Sequence, residues 1–336
     1  MIFLLIVVSF SPGFTYRTTK SNRRILVERA DLQAARISYL KKINEICLSK
    51  AAPIIYLDET AINENHAHAK EWMSSDGRVG RAIPTGKGKR LVLLHAIQDN
   101  GFVPNCMLLF RATSTDGRDF HTEMNSTVFE NWVRTQLLPN VPHGSCIVMD
   151  NASYHSRVDP ETKPPTSNSR KSEMIEWLKK NDIQFPQKIL KPDVYKLVKS
   201  NKPPKDYIVD KEIVSKGHTV LRLPPYHCDL NPIENVWGIA KGKVADNNTT
   251  FNIDDVRHLM IDALAEISES VFHKTFLHTT TVESDYRKAD GIDIMPNQGR
   301  ILINTIPDDD DLSSSSDESS ESSIYSSGES HESDSD

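Results

Sequence analysis

Three acidic residues stand where the chain could hold a carboxylate firmly enough to do chemistry. Glu234 follows Asn231, a good helix N-cap, and Pro232, a good first helical residue, so it falls in a rigid first turn. Asp58 and Asp150 each end a short apolar run bounded by turn-forming residues, which is typical of a buried strand. Because a lone buried carboxylate is strongly unfavourable, we expect the three to meet at one edge of a sheet.

Such a cluster favours a particular chemistry. Carboxylates this close repel one another, and each would resist ionisation unless a cation shared the site. Mg²⁺ suits the site because it binds a few carboxylates and keeps waters and substrate phosphates as its other ligands. Two such ions can hold the attacking and the leaving oxygen of a phosphoryl transfer. The residue types therefore indicate metal-dependent phosphodiester chemistry.

The segments that carry the acids form three blocks in a set order. They are Tyr56-Leu-Asp58-Glu-Thr, Val148-Met-Asp150-Asn-Ala-Ser-Tyr-His155 and Leu223-Pro-Pro-Tyr-His-Cys-Asp-Leu-Asn-Pro-Ile-Glu234. Together they resemble the acidic blocks of Tc1/mariner-type (IS630-related) transposases, over about residues 25–270. The resemblance implies a DDE superfamily endonuclease domain with a ribonuclease-H-like fold. In it Asp58, Asp150 and Glu234 would bind two Mg²⁺ ions, with Mn²⁺ able to substitute. It also implies DNA as partner, phosphodiester hydrolysis by an activated water, and strand transfer by the freed 3′-hydroxyl.

Three polar neighbours of the acids are candidates for an auxiliary role: Asn151, His155 and Asn231. We predict that Asn151 fixes the end of its strand. His155 either orients a water or phosphate near the metals or hydrogen-bonds a backbone group as a structural cap, and both roles stay open. Glu59 points to the opposite strand face from Asp58, so we do not expect it to be a metal ligand.

The surrounding segments predict an α/β fold with a ribonuclease-H-like mixed sheet flanked by helices. Residues 53–58, 91–97 and 102–110 would form three consecutive antiparallel strands, and Asp99-Asn-Gly101 is a strong hairpin signal between the last two. A helix over residues 122–138 then permits a parallel strand beside the first.

We divide the chain into four parts. They are an apolar and basic lead expected to be unstructured (1–24), the catalytic domain with its N-terminal helix (25–250, with an insertion at about 156–219), a C-terminal helical region (251–306) and an acidic Ser-rich tail expected to be disordered (307–336).

Helical periodicity places the main helices. It predicts helices over residues 31–50, over 173–180 and from Glu234 toward Val244, followed by a helix that Asn252 caps. We expect the region beyond that helix to be less regular, and we expect Arg36, Lys41 and Lys42 to form a solvated face.

Charge is distributed unevenly. The chain carries −6, but residues 307–336 hold eleven Asp or Glu and no Lys or Arg, so residues 1–306 carry +5. Residues 163–216 hold thirteen Lys or Arg against seven Asp or Glu. This segment is either a DNA-facing insertion or a solvated lysine-rich surface, and the tail is either a contact for a basic partner or a solvated tail.

A glycine-rich basic segment follows the first acidic block. Its spacing does not match a phosphate-binding loop, so we expect a hairpin turn that also grips DNA phosphates. The residues predicted to contact the DNA backbone are Arg78, Arg81, Lys87, Lys89 and Arg90.

The first ten residues are apolar but too short to span a bilayer. They lack the basic start and cleavage site of a signal peptide, so we favour an accidental reading frame over a secretory signal. The four scattered cysteines, Cys47, Cys106, Cys146 and Cys228, favour a reducing compartment. We therefore expect no membrane association and a nuclear location.

Two functions stay open. About fifty residues precede the first acidic strand, with one convincing helix, whereas the resemblance implies two helix-turn-helix modules in full-length relatives. The first function is a transposase-like endonuclease without such recognition modules, with self-association left open. The second is a catalytically idle nucleic-acid-binding protein derived from a transposase. A ribonuclease-H-like nuclease for RNA or branched DNA would share the chemistry of the first.

Overall fold

The computed structural model describes residues 14–18, 24–49, 53–68, 83–112, 124–160, 162–203 and 205–292. The predictions for the first ten residues, for Arg78 and Arg81 and for the acidic tail lie outside these residues.

The described part of the chain contains both strands and helices. The strands are β1 (Phe14–Thr18), β2 (Arg24–Glu28), β3 (Ile54–Asn63), β4 (Arg90–Gln98), β5 (Gly101–Phe102), β6 (Leu108–Arg111), β7 (Cys146–Met149) and β8 (Thr219–Arg222). The α-helices are α1 (Ala30–Ser49), α2 (Ser126–Trp132, continued by a π-helical turn Val133–Leu137 and by Leu138–Asn140), α3 (Lys171–Lys180), α4 (Lys191–Ser200), α5 (Ile208–Ser215), α6 (Pro232–Asn247), α7 (Ile253–Ala265) and α8 (Glu269–Ala289). None of these helices is both long and apolar enough to cross a membrane.

The main sheet is mixed. Its strand order is β5-β4-β3-β7-β8, and β6 also pairs with β4. β4 is antiparallel to β3, β5 and β6, whereas β3, β7 and β8 are parallel to one another. The predicted fold class, a ribonuclease-H-like sheet of antiparallel then parallel strands flanked by helices, is confirmed.

The structure corrects several boundaries. The predicted strand 102–110 is interrupted between β5 and β6. The N-terminal lead (1–24), expected to be unstructured, contains β1, and its last residue starts β2, the antiparallel partner of β1. The region beyond α7, expected to be less regular, begins with the 21-residue helix α8. The cap predicted for α7 is confirmed, because the Asn252 side chain accepts a hydrogen bond from the Asp254 amide at 2.8 Å.

Both faces of the sheet are covered, so its strands read as continuous apolar runs. On β4, Leu91 and Leu93 belong to one buried cluster with residues of α1, α6, α7 and α8. Val92 and Leu94 belong to a second cluster with residues of α2 and α5. The period of two along each strand therefore sends alternate residues to opposite helical layers.

A buried ionic network joins α1, α8 and the loop before α6. Arg36, expected on a solvated face, is only 5% exposed. Its guanidinium donates to Glu28 Oε1 at 2.5 Å and to Asp290 Oδ1 at 2.8 Å, and it lies 2.8 Å from His227 Nε2. Because His227 belongs to the third acidic block, this network holds that block against the helices.

We predict that one buried acid on α8 makes stability depend on pH. Glu283 is 5% exposed, and burial raises its pKa to about 7 although Arg287 acts to lower it. The folded state thus holds a proton that the unfolded state releases near 4.5, so stability falls as pH rises between these values. Glu283→Gln should therefore raise the free energy of unfolding by about 1–2 kcal/mol at pH 8, with a gain that shrinks toward pH 4.5, as measured by urea denaturation.

The exposed Asp285→Asn, two residues away, is the matched control and should change stability little at either pH. A gain from Glu283→Gln that is the same at both pH values would contradict the assignment.

Candidate active site

Asp58 and Asp150 lie side by side because their strands are parallel neighbours. Tyr56 of β3 lies opposite Val148 of β7, and continuing this register by two residues brings Asp58 beside Asp150. Parallel neighbours are about 4.8 Å apart. Tyr56 and Val148 belong to the buried cluster on the α6 side of the sheet, and residues two further along each chain share that face. The predicted strand end at Asp58 is wrong, since β3 continues to Asn63.

The N-terminus of α6 brings Glu234 to the same place. Pro232 opens the helix as predicted, and Glu234 lies in its first turn. The side chain of Asn231 does not cap the helix, contrary to our prediction. Its Nδ2 instead donates to the carbonyl oxygen of Leu57 at 3.4 Å, which ties the start of α6 to β3 next to Asp58.

The electrostatics show that these carboxylates interact. Burial raises the pKa of Asp58 well above its usual value, and the negative charges of Glu59, Glu234 and Asp150 raise it further. Burial also raises the pKa of Glu234, whereas the charge of Lys241 and a hydrogen bond with Asp58 act to lower it. A hydrogen bond between two carboxyl groups requires a proton on one of them, and burial favours the protonated form at both positions.

Asp150 differs from Asp58 and Glu234 because the cationic side chain of His155 compensates its negative charge. Its Oδ1 lies 2.5 Å from His155 Nδ1 and accepts the Ala152 amide at 3.0 Å. Burial acts to raise the pKa of Asp150, but the hydrogen bond and charge of His155 outweigh burial and lower it. The structure thus keeps Asp150 ionised beside two carboxyl groups that resist ionisation.

His155 links Asp150 to Glu59, a link that neither of its two predicted roles included. Its ring is fully buried, and its Nε2 lies 2.9 Å from Glu59 Oε1. Burial acts to lower the pKa of His155, but Glu59 and Asp150 raise it to about 9. Phe129 covers the ring with centroids 3.9 Å apart, and the Tyr154 hydroxyl donates to Glu59 Oε2 at 3.3 Å. Glu59 does lie on the opposite strand face from Asp58, as predicted, among the residues of the α2 side.

The loop after β7 is fastened to β8. Asn151 Nδ2 donates to the carbonyl oxygen of Leu223 at 2.7 Å, which fixes the strand end as predicted. Arg222 donates to the carbonyl oxygens of Asp150 and His155 at 2.8 and 2.9 Å and pairs with Asp210. These bonds fix the backbone at Asp150 and after it, so its carboxylate has a defined direction.

Of the glycine-rich basic segment, residues 83–90 are described and lead into β4 through bends, so the expected hairpin turn stays a prediction. Lys87 and Lys89 are exposed, and the carbonyls of both accept hydrogen bonds from the backbone that follows β3. Gly88 has φ +67°, and a Cβ there would meet Glu64 Oε2 at 2.8 Å. Arg90 is the first residue of β4. The contact of these residues with DNA stays a prediction.

The donor set suits a hard divalent cation. Three clustered carboxylates are the ligand type that Mg²⁺ prefers. Within the described ranges, no three His, Cys, Asp or Glu side chains are already arranged to hold a metal ion. In the present arrangement Asp150 Oδ1 is engaged by His155, and Asp58 bonds to Glu234. The residues therefore fit a cation by their chemistry, and Asp58, Asp150 and Glu234 would hold it.

Sequence reasoning missed two basic residues that act on the acids. Burial lowers the pKa of Lys241, whereas Glu234 and Asp58 raise it, so the ammonium group faces the site. The sequence could have indicated Lys241, because a residue seven positions after Glu234 on a helix lies on the same face. Arg222 on β8 gave no signal, because its role depends on which strand lies beside β7.

Solved structures similar to this chain include two of the Mos1 transposase. The chain shares 13% identity with the structure of the Mos1 transposase paired-end complex with left transposon end, at a TM-score of 0.48, over 79% of this chain and 64% of that one. For the Mos1 transposase catalytic domain with raltegravir and Mg, the values are 13% identity, a TM-score of 0.43, 79% of this chain and 98% of that one. The match thus spans less than two thirds of the transposase in the paired-end complex. No curated protein matches the chain.

The sequence model of one protein family matches the acidic blocks as a unit. That family is described as DDE superfamily endonuclease, and the match extends over residues 53–257, which is more than half of the chain. It includes all three acids and the segments that bring them together. The chain therefore belongs to the DDE superfamily endonuclease family.

Proposed function

We propose that the chain is a transposase-like DNA endonuclease of the Tc1/mariner type. The observation that carries the proposal is the meeting of Asp58, Asp150 and Glu234 across the β3–β7 register and the start of α6. These residues would hold two Mg²⁺ ions, with Mn²⁺ able to replace them. The catalytic domain would span residues 25–250, and a DNA substrate would place the protein in the nucleus.

Each residue has a task that follows from its position. Asp58 and Asp150 present their carboxylates from two adjacent parallel strands, and Glu234 presents its own from a proline-started helical turn. Bound there, the ions would supply Lewis-acid activation of a water and of the phosphate oxygens. Lys241 faces the same space and can pair with a phosphate of the DNA. A freed 3′-hydroxyl in the place of water would carry out strand transfer at the same site.

The test is nicking of a labelled DNA duplex by the full chain with Mg²⁺ or Mn²⁺. We expect metal-dependent nicking that falls by at least about 1,000-fold in Asp150→Ala, because the variant lacks one of the three carboxylates that would hold the catalytic ions. Asp262→Ala, an exposed acid on α7, is the matched control and should nick like the wild type.

Nicking that survives in Asp150→Ala would contradict the proposal. If neither protein nicks DNA but both bind it with an affinity that falls steeply with salt, the idle nucleic-acid-binding function is correct instead.

A further inference from the structure

The insertion between β7 and β8 contains two matching helices. α3 and α4 are both ten residues long and start 20 residues apart. Each buries its fourth and eighth residues and exposes its first three and last two. Each is followed by an asparagine, Asn181 or Asn201, whose side-chain amide donates at 2.8 Å to the carbonyl four residues earlier. The two helices therefore repeat one structural unit, and we call residues 163–203 the helix-pair module.

The helix-pair module has its own core. Met174, Leu178, Val194 and Val198 form a buried cluster that is separate from the clusters on the two faces of the sheet. The module is joined to the sheet by a stem, in which Val158 pairs with Tyr207 as an isolated antiparallel bridge. The chain thus leaves the loop that carries Asp150 and His155, builds a separate body and returns to the same point.

The positive charge of the protein is concentrated in this module. Residues 163–203 hold ten Lys or Arg against four Asp or Glu, a net charge of +6. Residues 1–306 as a whole carry +5, so the rest of that body carries −1. A solubilising surface would not need to gather the whole excess into 41 residues, whereas a polyanion-binding surface would.

The lysines also follow the repeat. Lys171 and Lys191 are the first residues of α3 and α4, and Lys179 and Lys199 are the ninth. All four are exposed. Nine of the ten basic residues of the module are Lys, and the tenth is Arg170. Lysine meets a phosphate as a point charge, whereas arginine dominates the reading of base edges, so the composition favours backbone contact.

We propose that the helix-pair module is a DNA-binding surface that grips the phosphate backbone of duplex DNA without reading its sequence. The inference extends the proposed function, because the stem of the module begins in the loop of Asp150 and so holds a bound duplex near the acids. The lysines of the module require only closely spaced phosphates, and a DNA duplex of any sequence provides them.

The experiment measures binding of the full chain to a fluorescent DNA duplex of arbitrary sequence, by anisotropy, in EDTA and over a range of salt. The test variant carries Lys171→Gln, Lys179→Gln, Lys191→Gln and Lys199→Gln. We expect its affinity at 0.1 M salt to fall about 10- to 100-fold and the slope of log affinity against log salt to become shallower by about 2–4 units. Arg at the same four positions should keep the wild-type slope.

The matched control removes four exposed lysines outside the module, Lys41, Lys42, Lys274 and Lys288, and so has the same net charge. It should keep most of the affinity. The proposal is overturned if the test variant binds the duplex as tightly as the wild type, or if the control variant loses as much affinity as the test variant. It is also overturned if the wild type does not bind the duplex, or if only a duplex RNA shows a salt slope that depends on the module. Because EDTA removes the metal ions that nicking requires, binding is measured without cleavage and these outcomes are independent of the nicking test.

Discussion

Asp58→Asn is expected to abolish DNA nicking and at the same time to stabilise the fold. The amide keeps the shape of the side chain but removes a charge that burial, Glu59, Glu234 and Asp150 all oppose. We expect nicking with Mg²⁺ to fall by at least about 1,000-fold. The free energy of unfolding in EDTA at pH 8, measured with urea, should rise by about 1 kcal/mol, since a like-charge cluster loses one member.

The sign of this stability change depends on pH. An acid with a raised pKa destabilises the folded state as pH rises, so the gain from Asp58→Asn should shrink as pH is lowered toward the ordinary value of 3.8. Asp262→Asn on α7 is the matched control and should leave both nicking and stability unchanged. A variant that loses stability together with activity would show that Asp58 supports the fold rather than the chemistry.

His155→Ala is expected to cause the largest loss of stability of these variants. The ring is fully buried, and its two nitrogens lie 2.5 Å from Asp150 and 2.9 Å from Glu59. Removing it leaves a buried Glu59 without a cation, an effect that costs about 3–5 kcal/mol for a buried pair. Urea denaturation at pH 7 measures the loss, and nicking should also fall because Asp150 loses the group that orients it.

A second substitution separates charge from packing. Adding Glu59→Gln to His155→Ala removes the unpaired charge, so we expect it to restore at least about 1 kcal/mol of the loss, without restoring nicking. The pH dependence has a defined sign as well. Because the pKa of His155 is raised from 6.5 to about 9, its contribution is complete below pH 6.5 and is lost as pH rises through 9.

His218→Ala is the matched control for this pair of variants. His218 is also buried, but burial and His143 lower its pKa. We expect His218→Ala to lower the free energy of unfolding by less than His155→Ala does. The loss caused by His218→Ala should not shrink as pH rises through 9. If Glu59→Gln does not rescue His155→Ala, the link between the two side chains is packing alone.

Local signals predicted the elements that carry the site. The apolar run before Asp150 ends with β7, and Pro232 starts α6 two residues before Glu234. Each of these signals lies within a few consecutive residues, because turn formation and helix initiation depend on short-range sterics and hydrogen bonds. The hairpin signal at residues 99–101 was equally local and was equally reliable.

Other features depended on partners that are distant along the chain. Asn231 was expected to cap α6 through its side-chain oxygen, but its Nδ2 donates to the carbonyl oxygen of Leu57 on β3, and the side chain makes no cap hydrogen bond. Arg36 was expected in solvent, but Asp290, 254 residues away, draws it into the interior. Local propensity gives way where a tertiary partner offers a better bond, and such a partner cannot be seen in the neighbouring residues.

The sequence by itself named the family, the three carboxylates proposed for the site, and the strands and helix that carry them, since these follow from residue types and short spacings. The tertiary structure decided how the acids interact. Only the parallel register of β3 and β7 brings Asp58 beside Asp150. Only the loop after β7 joins Asp150 through His155 to Glu59. A pKa depends on charges and burial in three dimensions, and therefore a pattern along one chain could name these groups but could not say which of them is ionised.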